Sequence, residues 1–222
     1  MHTIGAHTNS NNGALPVFFR IGEYDAACVL VTKYHYSHRV PANVQCVGTW
    51  HAPGGLWGDC GDVVAACFFS IPPSRWKEPV WELSRLVRSK DASVPQLSGL
   101  IAATCRFIAR AHSINLLVSF ADVAHGHHGG VYQSASWRYH GVRKRSIDGV
   151  MINGAFYPGR SCNSAWGTRS ATLLTRILGR DVEPHYDIGK HLYWRALTRA
   201  GAKKADRLGL ASIAYPKPAL GM

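Results

Sequence analysis

The residues most able to do chemistry follow an apolar stretch in the middle of the chain. Asp122 comes directly after the apolar run Ile114–Phe120 and Ala121, so a strand there would end on a carboxylate. Active-site groups often lie at the carboxyl ends of strands in sheets that helices cover. Asp122 can therefore act as a general base or orient an amine, and its alternative role is to cap the next turn.

Histidines supply a second set of candidate groups. His35 and Tyr36 end a segment with helical spacing, and His35 can be a base, a metal ligand or a group that recognises a nucleobase. Three more histidines lie in the loop His125–His128. An iron site usually takes two histidines and a carboxylate, so His35, Asp122 and a loop histidine would form one only if folding brings them together. The alternatives are a structural, partly buried His35 and a solvent-exposed loop.

The apolar spacing predicts the elements that position these groups. Helices are expected at Tyr24–Tyr34, Leu97–Ala111, Val131–Ser136 and Ser170–Leu178. Strands are expected at Val17–Ile21, Val44–Trp50, Val63–Ile71, Trp81–Arg88, Ile114–Phe120, Trp137–Val142 and Leu192–Leu197, with a hairpin around Asn153-Gly154. This order predicts an α/β (α+β) protein with a single mixed sheet and helices on both faces.

Length and composition limit the class of protein. The 222 residues are 46% hydrophobic and 17% charged, which excludes wholesale disorder. We expect a mobile tail over residues 1–14, one domain over 15–198, and a basic, proline-containing tail over 199–222. No apolar run reaches the length of a membrane span, and residues 1–14 lack a signal-peptide pattern, so we expect a cytoplasmic protein. The six cysteines include no C-x-x-C pair and are expected to be buried thiols.

Charge points to a polyanionic partner. The net charge is +12, and residues 138–222 carry fifteen basic and five acidic side chains. Arg199, Lys203 and Arg207 would form one basic stripe on a helix. A charge excess that is so localised favours nucleic acid over a merely solubilising surface.

Three stretches together resemble one family. They are Tyr34–Arg39, then Trp81–Val87 with Ser98-Gly99, and Ser119–Gly141, which is the most specific. These residues resemble the Mom family of phage DNA-modification proteins, whose fold is similar to the GCN5-related N-acetyltransferase fold. The resemblance covers roughly Val17 to Leu197. It implies modification of the N6 amine of adenine in double-stranded DNA by a methylcarbamoyl or acyl-type group, which protects the DNA from restriction, with acetyl-CoA as cofactor and iron implicated.

The resemblance also implies roles for particular residues. Ser98 and Gly99 correspond to a degenerate form of the acyltransferase pyrophosphate loop, and Arg85 on the preceding strand would reach a phosphate of acetyl-CoA. Tyr132 would protonate the departing thiolate. Asp122 or His35 would deprotonate the amine, with Tyr36 beside them. Without the resemblance, Ser98 would simply begin a helix and Arg85 would form a surface ion pair.

Two other functions fit the same residues. One is an acyltransferase that acts on a small-molecule or protein amine, with the same cofactor and no DNA. The other is a non-catalytic DNA-binding protein with an acyltransferase-like core, which the degenerate Pro95–Leu100 loop favours. Acetyl-CoA binding and DNA binding, measured separately, distinguish these functions from DNA modification.

Overall fold

The computed structural model describes residues 16–54, 59–73, 75–90, 94–123, 126–143 and 145–216. The strands in this part of the chain are β1 (Phe18–Ile21), β2 (Val44–Gly54), β3 (Asp59–Ser70), β4 (Trp81–Arg88), β5 (Leu116–Asp122), β6 (Arg138–Val142), β7 (Ile147–Ile152), β8 (Ala155–Pro158), β9 (Val182–Tyr186) and β10 (Lys190–Ala196). The helices are α1 (Tyr24–Tyr34), α2 (Leu97–Ala111), α3 (Gly130–Ser134), α4 (Gly159–Trp166), α5 (Ala171–Leu178) and α6 (Arg199–Arg207).

Seven strands form the main sheet, in the order β1-β2-β3-β4-β5-β10-β6. Neighbouring strands in it are antiparallel except β4 and β5, which run parallel. Only two residue pairs, Trp81 with Leu117 and Glu82 with Val118, join β4 to β5. The two strands are therefore bonded where they begin and not along their carboxyl halves.

Helix α2 covers one face of the main sheet, called the α2 face below. Its buried side chains include Leu100, Ile101 and Ile108, which follow helical spacing and belong to one core cluster with Trp50 and Leu117. A fully buried aliphatic side chain of this kind stabilises the fold by about 1.5–3 kcal/mol. This cluster is the main core of the protein.

Two helices share the opposite face, called the α1/α6 face below. Helix α1 buries Ala27, Leu30 and Val31 in a cluster with residues of β2, β3 and β4. Helix α6 buries Ala205 in a separate cluster with Leu116 of β5 and with residues of β10. The boundary between the two helices thus falls over β4 and β5, where the strands are least bonded.

A second sheet is inserted between β6 and β10. Its three strands, in the order β8-β7-β9, pack with α4 and α5 around a core of their own, and residues 147–186 are called the inserted module below. The carboxylate of Asp187 closes its base, because it accepts hydrogen bonds from the Ser146 N–H, the Ser146 hydroxyl and the Gly189 N–H at 3.0 Å each. Burial alone would raise the pKa of Asp187, but these bonds outweigh it and lower the pKa.

The sequence predictions hold for the main elements. The helices Tyr24–Tyr34 and Leu97–Ala111 are confirmed, as are the mixed main sheet with helices on both faces and the hairpin at Asn153-Gly154. The module's separate sheet was not expected, since we predicted a single one. The helix predicted at Val131–Ser136 begins and ends earlier, at Gly130–Ser134.

The structure differs from the sequence prediction near the C-terminal end of the chain and does not test the prediction for the N-terminal tail. Residues 199–207, predicted as part of a tail, form a helix with Gly201 and Ala205 buried against the sheet. Because the buried residues of this helix are small, no apolar pattern in the sequence predicted the helix. The predicted tail over residues 1–14 lies outside the described residues. Within the described part of the chain, no helix has the length and apolar character needed to cross a membrane.

Close packing of α2 on β2 generates the first prediction. A side chain on Gly48 would collide with the hydroxyl of Thr104 on α2. We expect Gly48→Ala to lower the free energy of unfolding by about 1–3 kcal/mol, because the helix must move away from the strand. Urea unfolding measures the loss. Thr104→Ala should restore part of it in the double variant, and independent, additive losses would contradict the collision.

Candidate active site

The parting of β4 from β5 creates the opening at the centre of the candidate site. At its start, the Ser119 hydroxyl of β5 donates a 2.8 Å hydrogen bond to the Leu83 carbonyl of β4. Ser119 is fully buried, so it is a polar bridge across the two strands. Beyond Ser119, β4 and β5 are no longer paired with each other. A bound group can therefore lie between their carboxyl ends.

Tyr132 reaches this bridge from the α2 face. Its hydroxyl is hydrogen-bonded to Ser119, and burial raises its pKa to about 12. Charge interactions with Tyr36, Glu82 and Tyr193 contribute to this rise, and the hydrogen bond with Ser119 opposes it. At neutral pH Tyr132 is therefore a protonated phenol beside the opening, which is the state that a proton donor needs.

Aromatic packing fixes the position of Tyr132. Its ring centroid lies 5.2 Å from that of Tyr193 and 5.7 Å from that of Trp137. The Tyr193 hydroxyl donates to the His128 carbonyl at 2.6 Å, which ties β10 to the loop before α3. Gly129 in that loop has a φ of +79°, and any side chain on it would strike the Tyr193 ring. Tyr132 and the loop before α3 thus pack against Tyr193, and Trp137 packs against Tyr132.

Asp122 lies on the α1/α6 face at the end of β5. It forms an ion pair with Lys190 of β10, with 3.2 Å between Oδ2 and Nζ, because the two residues are partners in the sheet register. Tyr36 lies close enough for Asp122 to act on it. Burial first, and then Asp122, raise the pKa of Tyr36, whereas Lys190 and Arg85 lower it. The sequence candidates Asp122, Tyr36 and Arg85 are therefore neighbours.

His35 is positioned beside Tyr36, with ring centroids 4.3 Å apart. Its Nδ1 accepts the Ser37 N–H at 3.1 Å and lies 2.9 Å from the Ser37 hydroxyl. Because Nδ1 is an acceptor, the neutral ring carries its proton on Nε2 and presents a donor there. His127 continues the stack, 5.6 Å from the Tyr36 ring.

Arg85 holds the segment after α1 against β4. Its Nε donates to the Arg39 carbonyl at 2.9 Å, and its Nη1 donates to the Ser84 carbonyl at 2.6 Å. Ser98 and Gly99 begin α2 on the opposite face. The structure therefore gathers Arg85 with Tyr36 and Asp122, and does not bring it beside the start of α2.

The start of α2 has the properties of an anion site. Gln96 at the N-cap makes no side-chain hydrogen bond to the helix, and the first turn has no acidic residue. Gly99 lies so close to Trp50 that a β-carbon would be 3.3 Å from the indole ring. The Gly99 N–H already donates to the Gln96 carbonyl at 3.0 Å, and the other N–H groups of the first turn, together with the dipole of this fifteen-residue helix, favour a phosphate group.

The described residues include no group of three His, Cys, Asp or Glu side chains that could hold a metal ion. Within that part of the chain, His35, Asp122 and the loop histidines do not form the facial set considered from sequence. His125 lies outside the described residues.

Several residues of the site were not selected from the sequence. Ser119 could have been noticed as a polar residue in an apolar strand, and Lys190 as the first residue of the closing strand. Nothing in the local sequence marks Tyr193, which contributes through contacts with distant residues.

One protein family matches most of the chain. The sequence model of the Mom protein family matches residues 17–217. The chain belongs to the Mom protein family. No curated protein matches the sequence.

Solved structures also resemble this Mom family member. An N-acetyltransferase from Staphylococcus aureus Mu50 is 9% identical with a TM-score of 0.46, covering 81% of this chain and 97% of its own. A GNAT-family acetyltransferase from Bacillus anthracis is 11% identical with a TM-score of 0.46, covering 83% and 96%. A GNAT-family acetyltransferase from Elizabethkingia anophelis with acetyl-CoA bound is 9% identical with a TM-score of 0.37, covering 86% and 95%.

The burial of Tyr132 predicts a pH effect on stability. Its pKa rises from 10.0 to about 12 on folding. The folded state therefore keeps its proton when the unfolded state has lost it, and stability falls as the pH rises from about 10 to about 12. Between pH 10 and pH 12, the free energy of unfolding of Tyr132→Phe should fall less than that of the parent.

Urea unfolding at a series of alkaline pH values measures this slope. Tyr157→Phe, which alters an exposed ring in the inserted module, is the matched control and should follow the parent. Parallel pH profiles for Tyr132→Phe and the parent would contradict the assignment.

Proposed function

We propose that this Mom family protein transfers an acyl group from acetyl-CoA to the N6 amine of adenine in DNA, with the CoA thiol as the leaving group, and thereby protects the DNA from restriction. The observation that carries the proposal is the arrangement of Tyr132 and Asp122 around one opening. Tyr132 approaches from the α2 face, and Asp122 lies at the end of β5 on the opposite face. A donor on one side can therefore meet an acceptor amine on the other.

The acceptor side has groups suited to an adenine. The amine lies inside the duplex, so the base must leave the helix or be presented on a single strand. Tyr36 and His127, whose ring planes are inclined at 47° with centroids 5.6 Å apart, offer aromatic faces for such a base. The amine is a weak nucleophile and must lose a proton as it attacks. We assign that proton to Asp122 rather than His35, because the neutral His35 ring uses Nδ1 as an acceptor from Ser37.

The donor side fits acetyl-CoA. The start of α2 at Ser98 and Gly99, which has no side-chain cap, would hold the pyrophosphate, and the opening between β4 and β5 would admit the rest of the molecule. When bound, acetyl-CoA supplies an activated acyl carbon. We assign to Tyr132 the protonation of the thiolate that leaves. Iron remains an expectation from the family resemblance alone.

The basic residues that would face DNA lie mainly outside the inserted module. Residues 145–188 carry five basic and four acidic side chains, whereas residues 138–144 and 189–222 together carry ten basic and one acidic. The excess therefore belongs to β6, β10, α6 and the segments that adjoin them. A surface of this sign attracts the phosphate backbone through release of counterions.

Removal of the proposed acid and base should abolish most of the modification. We expect Asp122→Asn and Tyr132→Phe each to lower the modified deoxyadenosine by roughly a hundredfold, because each removes one proton-transfer group. Mass spectrometry of nucleosides from DNA of cells expressing each variant gives the readout. Asp181→Asn, an exposed carboxylate in the same chain, is the matched control.

Lys190→Gln tests whether modification needs the Asp122 carboxylate itself or its ion pair with Lys190. It breaks the Asp122–Lys190 pair but keeps the carboxylate, so it should lower modification less than Asp122→Asn does. Normal modification in Asp122→Asn or in Tyr132→Phe would exclude the role given to that residue. No modified adenine with the parent protein would contradict the proposed function.

The cofactor site has a test of its own. Ser98→Asp places a negative charge at the start of α2, and we expect acetyl-CoA affinity to fall at least about tenfold. Arg85→Ala should have a smaller effect, since its guanidinium already donates to two backbone carbonyls. Arg106→Ala, on the exposed side of α2, is the control. Calorimetry on folded variants measures the affinities, and unchanged binding in Ser98→Asp would remove this site.

The same measurements decide between the alternatives. Acetyl-CoA binding without DNA binding would identify an acyltransferase for a small-molecule or protein amine. DNA binding without acetyl-CoA binding would identify a non-catalytic DNA-binding protein.

A further inference from the structure

Arg143 occupies an unusual position among the basic residues of the second half. Its guanidinium carbon lies 5.8 Å from the ring centroid of Trp76 and 5.8 Å from that of Phe120. Both rings are half-buried, and Arg143 itself is exposed. The rings hold the guanidinium by cation–π contact, which occupies its flat face and leaves its N–H edge for another ligand.

Other arginines nearby are already engaged by hydrogen bonds or ion pairs. Arg207 pairs with Glu78 at 2.7 Å, and Arg145 donates to the Asp187 carbonyl at 3.0 Å. Arg143 makes no ion pair with the described residues. A guanidinium held in place by two rings, without a carboxylate, is a charge prepared for an anion.

The position of Arg143 relates it directly to the candidate active site. Its backbone N–H donates to the Lys190 carbonyl at 2.9 Å, and Lys190 is the ion-pair partner of Asp122. Phe120 precedes Asp122 by two residues on β5, so the two side chains share the α1/α6 face about 7 Å apart along the strand.

The surface between α1 and α6 joins these groups. It contains Tyr36 and Arg85 on the α1 side, Asp122 at its centre, and Arg143 with Phe120 on the α6 side. Aromatic rings interleaved with cations are typical of surfaces that bind a nucleic acid strand. The rings beside Arg143 also give the phosphate contact a fixed position, which a long exposed lysine would lack.

We propose that Arg143, seated between Trp76 and Phe120, binds a backbone phosphate of the DNA strand next to the adenine to be modified. This inference rests on the proposed function and specifies which basic residue of the second half of the chain positions the DNA substrate. It assigns Arg143 as the phosphate ligand, and assigns Phe120 and Trp76 as the residues that position it.

Fluorescence anisotropy with a short labelled duplex, over a series of salt concentrations, tests the proposal. Arg143→Ala should weaken binding about tenfold and reduce the salt slope by about one. Phe120→Leu keeps the charge but removes one ring, so it should weaken binding several-fold with the parent's slope. Arg180→Ala, an exposed arginine in the inserted module, is the matched control and should bind like the parent.

Thermal unfolding verifies that each variant is folded, and Arg143→Lys provides a second variant that keeps the charge. It should retain the salt slope but not the full affinity, because an ammonium lacks the planar face. Acetyl-CoA affinity should be unchanged in Arg143→Ala, since the phosphate in question belongs to DNA. A loss of acetyl-CoA affinity with intact DNA binding would instead assign Arg143 to the cofactor and overturn the proposal.

The outcomes separate this inference from the proposed function. If the parent modifies adenine and binds DNA, but Arg143→Ala binds with the same affinity and slope, the inference is wrong and the function stands. If the parent neither binds nor modifies DNA, both are wrong.

Discussion

The limited bonding between β4 and β5 is the constraint on which the candidate site depends. In an ordinary sheet these two strands would be paired along their length, and the two faces would be sealed from each other. Here only two residue pairs join them, and the Ser119 hydroxyl spans the point where they begin to part. As a result, the Tyr132 phenol on the α2 face and the Asp122 carboxylate on the other face both lie near the point where the strands part.

Aromatic residues from the stretch that most specifically resembles the family pack around one ring, that of Tyr193. Ser119 lies on β5, Tyr132 on α3 and Tyr139 on β6, with Trp137 just before β6. The rings of Tyr132 and Tyr139 pack on that of Tyr193, with centroids 5.2 Å and 5.1 Å away. Gly129 permits the close approach of Tyr193 to the loop. Substitutions across this stretch should therefore share one consequence, since each disturbs the ring that supports the others.

The sequence predicted the helices and turns that are marked by a local pattern of residues. Leu97–Ala111 has a broad apolar face, and Asn153-Gly154 has the residue pair that a tight hairpin turn requires. Helix α4 and strand β9 were missed because α4 is rich in Gly, Ser and Asn and β9 contains Pro184, so tertiary packing rather than local preference holds them. Asp122, Tyr36 and Arg85 were selected by type and resemblance. Their proximity, and the Lys190 partner, depended on strand order that spacing alone does not specify.

The closed base of the inserted module has a consequence for how this chain can vary. The two ends of the insertion lie side by side, with the Arg143 N–H bonded to Lys190 and Asp187 fastening Ser146 to Gly189. A segment whose ends already meet adds little loop-closure entropy to the main sheet, whatever its length. The insertion is therefore a position where the chain can be lengthened or shortened while β6 and β10 keep their register in the main sheet.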